Sequence, residues 1–247
     1  MTPGWIVVNA DDLGVSRGTT QAVIRAHREG IVTSASLAVT TSGYGHAVAS
    51  CVRECPDLGI GLHFTVTSGR PVRPSSVLAG DDGFFRWRFS SLFAAVAIQR
   101  RAELLDQLRL ELDAQLDRLD ADGIQPDHID SERHVHLIPG IFELVVAAAE
   151  SRRIPFVRAG VDAGVGRFPL AQIPGLALRG GMIKATLLSA FARRGQRRLG
   201  TRRTAEYVAS YFGSGRTHLL KDDIARSMAG SMEIMVHPGV VDPGERP

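Results

Sequence analysis

Ionisable side chains gather where four short apolar runs of this sequence end. Asp11-Asp12 follow Trp5-Ile6-Val7-Val8, and His63 closes Leu58-Gly59-Ile60-Gly61-Leu62. The segment Asp130-Ser131-Glu132-Arg133-His134-Val135-His136 follows another such run, and His237 follows Glu233-Ile234-Met235-Val236. Carboxylates and imidazoles ligate divalent cations, and they move protons near neutral pH. Alternate residues of an extended strand share a face, so a strand over 128–137 points Asp130, Glu132, His134 and His136 one way. Four ionisable groups on one buried face are costly without partners. A bound divalent cation would satisfy them; so would water, if the strand lies at an edge. Each remaining group has a plainer reading when taken alone. His63 fits a hydrogen-bonded core histidine, Asp11 and Asp12 fit caps of the following helix, and His237 fits a turn ahead of Pro238-Gly239. Occurring together at strand ends, they form a constellation.

The elements that must position these groups alternate. Strand patterns fall at 5–10, 31–39, 58–64, 128–137, 154–158 and 233–237. Helical patterns fall at 19–29, with Ser16 as N-cap, and at 44–55, 91–122 and 140–151. The stripe Leu104, Leu105, Leu108, Leu112, Leu116 and Leu119 marks the core face of the longest helix. Such alternation predicts a parallel α/β sheet or barrel, with active groups at the carboxyl ends of strands. Residues 66–90 are dense in Gly, Pro and Ser and read as one long loop, whose Phe84, Phe85 and Trp87 offer aromatic faces to a ligand or anchor the loop.

The composition narrows the class. The 247 residues, 44% hydrophobic and 22% charged, suffice for one domain over 1–247 with a large core. Cys51 and Cys55, four apart, make neither a disulfide framework nor a zinc quartet. No apolar run approaches a membrane span, and the N-terminus lacks a leader pattern, so a cytoplasmic setting is expected. The net charge of +3 divides unevenly: residues 1–150 carry 13 basic against 19 acidic side chains, and residues 151–247 carry 16 against 7. The basic segment 163–205 reads as a solvated Arg-rich helix pair, with peripheral contact to an anionic membrane surface as the other reading. No nucleic-acid motif accompanies the charge, so no nucleic acid is expected.

Five ordered motifs span nearly the whole chain: NADDLG at 9–14, GIVTSASL at 30–37, GIGLHFTVTSGRP at 59–71, DHIDSERHVHLIP at 127–139 and MVHPG at 235–239. In these the sequence resembles the YdjC-type carbohydrate deacetylases, which include chitooligosaccharide deacetylases and a branch associated with hopanoid biosynthesis. The resemblance implies a distorted (β/α) TIM-like barrel with its site at the strand carboxyl ends. Because the chain stops ten residues after His237, it also implies a truncated last βα unit and a seam left open or covered by a partner. The implied activity is metal-dependent removal of N-acetyl groups from an amino sugar or oligosaccharide, and the implied assembly is a homodimer. Carried over by position, Asp12 and His63 match metal ligands, Asp11 the general base and His237 the general acid. Asp130, His134 and His136 match supporting groups around the ligands. Where the family usually has a third ligating His, this chain has Glu132. The resulting set of two carboxylates and one imidazole favours Mg²⁺ over Zn²⁺ or Mn²⁺ as the single divalent cation. If Glu132 does not ligate, His134 takes its place or the ion is lost, and with the ion lost the alternative is a non-catalytic sugar-binding relative.

Overall fold

The structure, a computed structural model, describes residues 4–162, 181–199, 203–210, 221–222, 225 and 230–239. Its strands are β1 (Ile6–Leu13), β2 (Ser34–Leu37), β3 (Gly59–Phe64), β4 (His128–Ser131), β5 (Phe156–Val157), β6 (Val161–Asp162), β7 (Tyr207–Ser210) and β8 (Met232–Val236). The helices are α1 (Arg17–Arg28), α2 (Tyr44–Glu54), α3 (Phe89–Phe93), α4 (Ala102–Ala121), α5 (Ile141–Ser151) and α6 (Gly181–Leu199). All strand pairs are parallel, in the order β5-β4-β3-β2-β1-β8-β7-β6.

The two edge strands, β5 and β6, are consecutive in the chain and three residues apart, so the sheet must curl until its edges meet. Backbone hydrogen bonds stitch the junction: Arg158 donates to Ile129 O at 3.1 Å on the β4 side, and Val161 to Glu206 O at 3.1 Å on the β7 side. Gly160 permits the close approach, because a Cβ there would overlap Val208. The distorted barrel expected from the sequence is therefore the observed fold. The seam expected at the last strand is a correction: β8 is paired on both sides, to β1 and to β7, which is how a parallel strand satisfies its backbone. The truncated last unit falls on residues 240–247, outside those described.

Ser16 caps α1 as its sequence position suggests, accepting from Thr19 N at 3.0 Å. The single helix expected over 91–122 is broken: α3 runs into a wide π turn at Ala94–Ile98, Arg100 turns left-handed (φ 51°), and α4 starts at Ala102. The leucine stripe of α4 is core, with Leu104, Leu108, Leu112, Leu116 and Leu119 all buried. The same helix also carries two buried polar residues that anchor the loop 66–90. Glu111 accepts from Val72 N and Arg73 N at 2.9 and 3.1 Å, and Gln115 brackets Thr65 through its backbone N and O. The loop's aromatics are occupied structurally: Phe85 is buried, Trp87 Nε1 donates to Val77 O at 2.8 Å, and exposed Phe84 is covered by Arg70 4.0 Å from its ring centre. Sequence reading found neither β6 nor β7, which are short strands within or beside the Arg-rich stretch.

Candidate active site

Inside the barrel the lining is polar, and its centre is Arg158, only 2% exposed. Its guanidinium holds three buried carboxylates: Asp11 through Nη1 and Nη2 at 2.8 and 2.6 Å, Asp130 at 2.5 Å and Glu233 at 2.6–2.7 Å. A planar fork of five donors is the side chain suited to several carboxylates at once. Burial acts to raise the Asp130 carboxyl, but the charges of Arg158 and His63 hold it well below the usual carboxylate range. Glu233 goes the other way, since its burial outweighs the help it receives from Arg158. The strand 154–158 ends on Arg158 just as the others end on Asp or His, so the same signal marked it, yet the sequence reading assigned it no role. Asn9, Ser36 and His128 were missed for a plainer reason: none of them stands at the carboxyl end of its strand, and His128 opens β4.

Above Arg158 a cavity of about 420 Å³ opens at the carboxyl ends of the strands, lined among others by Asp11, Asp12, His63, Glu132, His134 and His237. Consecutive residues of a strand face opposite ways, yet Asp11 and Asp12 both reach the cavity. A register shift in β1 between Ala10 and Leu13 and a left-handed Asp12 (φ 66°) make this possible. Asp11 points inward and is 2% exposed, whereas Asp12 stands at the mouth. Asp12 Oδ1 lies 3.3 Å from His63 Nε2, and Asp12 Oδ2 lies 4.0 Å from His237 Nε2. Burial works to raise Asp12, but His63 and His237 leave it lowered. His63 Nδ1 meets Asp130 Oδ1 at 2.7 Å. Burial opposes charge on His63, yet Asp130 and Asp12 raise it well above its ordinary value. Buried donor atoms of Asp11, His63 and Asp130 lie within 4.8 Å of one another, a group of the size that can hold an ion. Of these, Asp130 already receives donors from His63, Ser36 and Arg158, and Asp11 from Arg158 and Asn9. At the mouth, Asp12 and His63 Nε2 face the cavity side by side.

The segment after β4 departs from the expected strand. β4 ends at Ser131, and Glu132–Leu137 is a 3₁₀ turn with Arg133 and His134 left-handed (φ 53° and 59°). Of the four residues expected on one face only Asp130 lies on the strand, because pleated alternation ends where the strand does. Glu132 Oε2 accepts from Thr67 Oγ1 at 2.6 Å and Ser68 Oγ at 3.0 Å. His134 reaches the cavity wall, with burial and then the charge of Arg158 holding it well below its usual value. His136 turns away, its Nδ1 2.5 Å from Ser131 Oγ and its Nε2 2.8 Å from Arg158 O, and burial lowers it to about 4. The basic segment contributes α6, whose Lys184 lines the same cavity. Arg194 and Arg198 of α6 pair with Glu143 and Glu150 of α5. The remainder of 163–205, apart from 203–205, lies outside the described residues. No helix among the described residues is long and apolar enough to cross a membrane.

Residues 5–246 match the family described as YdjC-like protein. A chitooligosaccharide deacetylase of Proteus mirabilis is 40% identical over 61% of this chain and 57% of its own length. A carbohydrate deacetylase of Brevibacillus brevis is 42% identical over 61% of the chain and 57% of its own. These matches thus span under two thirds of the relatives. A chitooligosaccharide deacetylase of Salmonella schwarzengrund is 31% identical over 96% of the chain and 82% of its own length. Among solved structures, that of a proposed cellobiose-phosphate cleavage protein from Enterococcus faecalis superposes with a TM-score of 0.70. It covers 98% of this chain and 83% of that one, at 24% identity, which speaks to the fold.

Proposed function

The chain belongs to the YdjC-like family, and on that premise we propose that it hydrolyses the N-acetyl amide of an amino sugar or oligosaccharide with one divalent cation. The observation that carries the reading is the pair at the cavity mouth, Asp12 Oδ1 and His63 Nε2, 3.3 Å apart. Two donors bound to one ion at roughly 2.0–2.2 Å stand about 3.0–3.4 Å apart at ordinary bond angles. His63 also has its second nitrogen on a carboxylate, Asp130, the usual support of a ligating imidazole. These residues fit the ion. Asp12 and His63 would hold it, with Glu132 from the turn after β4 as third donor. Two carboxylates and one imidazole favour Mg²⁺ or Mn²⁺ over Zn²⁺.

When bound, such an ion polarises the amide carbonyl and lowers the pKa of a water. Asp11 would take the proton of that water. A carboxylate has about four acceptor positions; Arg158 and Asn9 use three, which orients the group and leaves one on Oδ2. His237 would give a proton to the nitrogen as the C–N bond breaks, releasing acetate and a free amine. His134 and His136, both buried and depressed, stay neutral near pH 7, so His134 shapes the wall and His136 props Arg158 without adding charge. Dimerisation and a cytoplasmic setting belong to the same proposal, while the Arg-rich segment is read first as a solvated helix pair and second as a contact for a membrane surface or lipid-linked sugar. Light scattering and vesicle sedimentation test the first and last of these.

The role of Asp11 is tested by Asp11→Asn in ion-loaded protein. Turnover should fall by at least 100-fold while the ion stays bound; unchanged turnover would remove Asp11 as base. One observation favours the second reading, a sugar-binding relative without turnover: Glu132 is already satisfied by Thr67 and Ser68. Under that reading the natural chain binds no ion, and Glu132→His creates both ion binding and acetate release.

A further inference from the structure

Below the cavity, a row of hydrogen bonds runs through the barrel to the opposite end of the strands. Asp127, whose side chain is half exposed, accepts from His128 Nδ1 at 2.5 Å. His128 Nε2 lies 3.0 Å from Ser36 Oγ, and Ser36 Oγ donates to Asp130 Oδ2 at 2.7 Å. Asp130 Oδ1 accepts from His63 Nδ1 at 2.7 Å. The direction of every link is set. A serine has one proton, and here it goes to Asp130, so Ser36 must accept from both Asn9 Nδ2 (2.7 Å) and His128 Nε2. His128 therefore donates from both ring nitrogens. Ser36 and Asp130 are fully buried, His63 is 3% exposed and His128 6% exposed. The fold clears space for the row: a Cβ at Gly61 would lie on the His128 ring.

We propose that Asp127, His128 and Ser36 are positioning residues, which act through Asp130 to fix the His63 ring with its proton on Nδ1 and Nε2 toward the cavity. The inference rests on the reading of His63 as an ion ligand. An imidazole that ligates must present a lone pair, and its partner on the other nitrogen decides which nitrogen that is. Asp130 can give that direction only while its own carboxylate is held. Arg158 grips it from one side; Ser36, oriented by His128 and Asn9, grips it from another. Removing a group that orients a ligand's partner costs on the order of 10-fold in ion affinity.

The test is titration calorimetry of the full chain with Mg²⁺ and with Zn²⁺, for wild type, Ser36→Ala, His128→Gln and Ser36→Thr. Melting in chelator is recorded beside it to show that each variant folds. Ser36→Ala and His128→Gln should bind the ion about 10-fold more weakly, and Ser36→Thr, which keeps the hydroxyl, should recover most of the loss. Folded Ala and Gln variants with unchanged affinity would overturn the proposal. If these variants do not fold, ¹⁵N-imidazole spectra of the wild type decide. Protons on His63 Nδ1 and on both nitrogens of His128 support the row, whereas an unprotonated His63 Nδ1 or His128 Nε2 overturns it. A wild type that binds neither ion refutes the ion-dependent function instead, and the same spectra still judge the row.

Discussion

Arg158→Met is the substitution to which this barrel should be most sensitive. Methionine matches much of the arginine volume but leaves Asp11, Asp130 and Glu233 without their shared cation. All three are at most 2% exposed. Breaking a buried ion pair by removing one partner costs about 3–5 kcal/mol, because a desolvated charge is left behind. For a chain of this length, 1 kcal/mol corresponds to roughly 2–4 °C of melting temperature. The variant should therefore melt about 6–20 °C below the wild type at pH 7.5, measured by circular dichroism in chelator. The pH dependence identifies the cause. In the wild type, Asp130 is held well below its unfolded value. Its contribution is therefore complete above about pH 4 and is lost only as pH falls further through the folded value. In the variant, Asp130 and Glu233 lose the charge that lowers them most, so both move up, and the folded form gains relative stability as pH drops and they protonate. The gap between the two proteins should be widest near pH 7–8 and narrow below about pH 5. A gap under 1 kcal/mol, or one of constant size from pH 8 to 5, would refute the charge-based account.

Burial lowers His136 from 6.5 to about 4. The group thus contributes stability above pH 6.5 that is withdrawn as pH falls toward 4, about 3 kcal/mol in all at 1.36 kcal/mol per pKa unit. NMR of the His136 ring should show no titration between pH 8 and 5, and a midpoint near 6.5 would contradict its buried placement. The Cys51 thiol is pushed up to about 12 by burial, with the neighbouring Cys55 adding to the effect, and both cysteines are buried and unbridged. A disulfide reagent should consequently label neither in native protein and both in urea, while rapid native labelling would refute the core packing of α2.

The parts of this molecule legible in the sequence are those written in local pattern. Alternating strands and helices gave a parallel α/β sheet or barrel and the family resemblance chose the barrel; the α4 leucines gave a core face, and Asp12, His63 and His237 meet at one mouth because each ends an inward strand. The turn at Glu132–Leu137 was not legible, since D-S-E-R-H-V-H alternates as a strand does and only tertiary contacts select left-handed Arg133 and His134. His136 accordingly supports Arg158 through its carbonyl instead of sharing a face with Asp130. Long-range pairing hid the remainder. Arg158 and Asp11 are 147 positions apart, and Ser36 and Asp130 are 94. Apart from its place at a strand end, nothing local distinguishes Arg158 from the other 26 arginines. The aromatics of the loop 66–90 looked free for a ligand because the sequence does not show the partners that hold them.

Acetate release from N-acetylated chitooligosaccharides by chelator-treated protein, with Mg²⁺, Mn²⁺ or Zn²⁺ returned in increasing amounts, tests the central claim most directly. The site described here predicts no release without ion, activity that saturates at one ion per chain, and loss of both ion and activity in Asp12→Asn. Full activity in chelator, or in Asp12→Asn, would contradict it, as would a wild type that binds the ion and never frees acetate from any N-acetylated sugar.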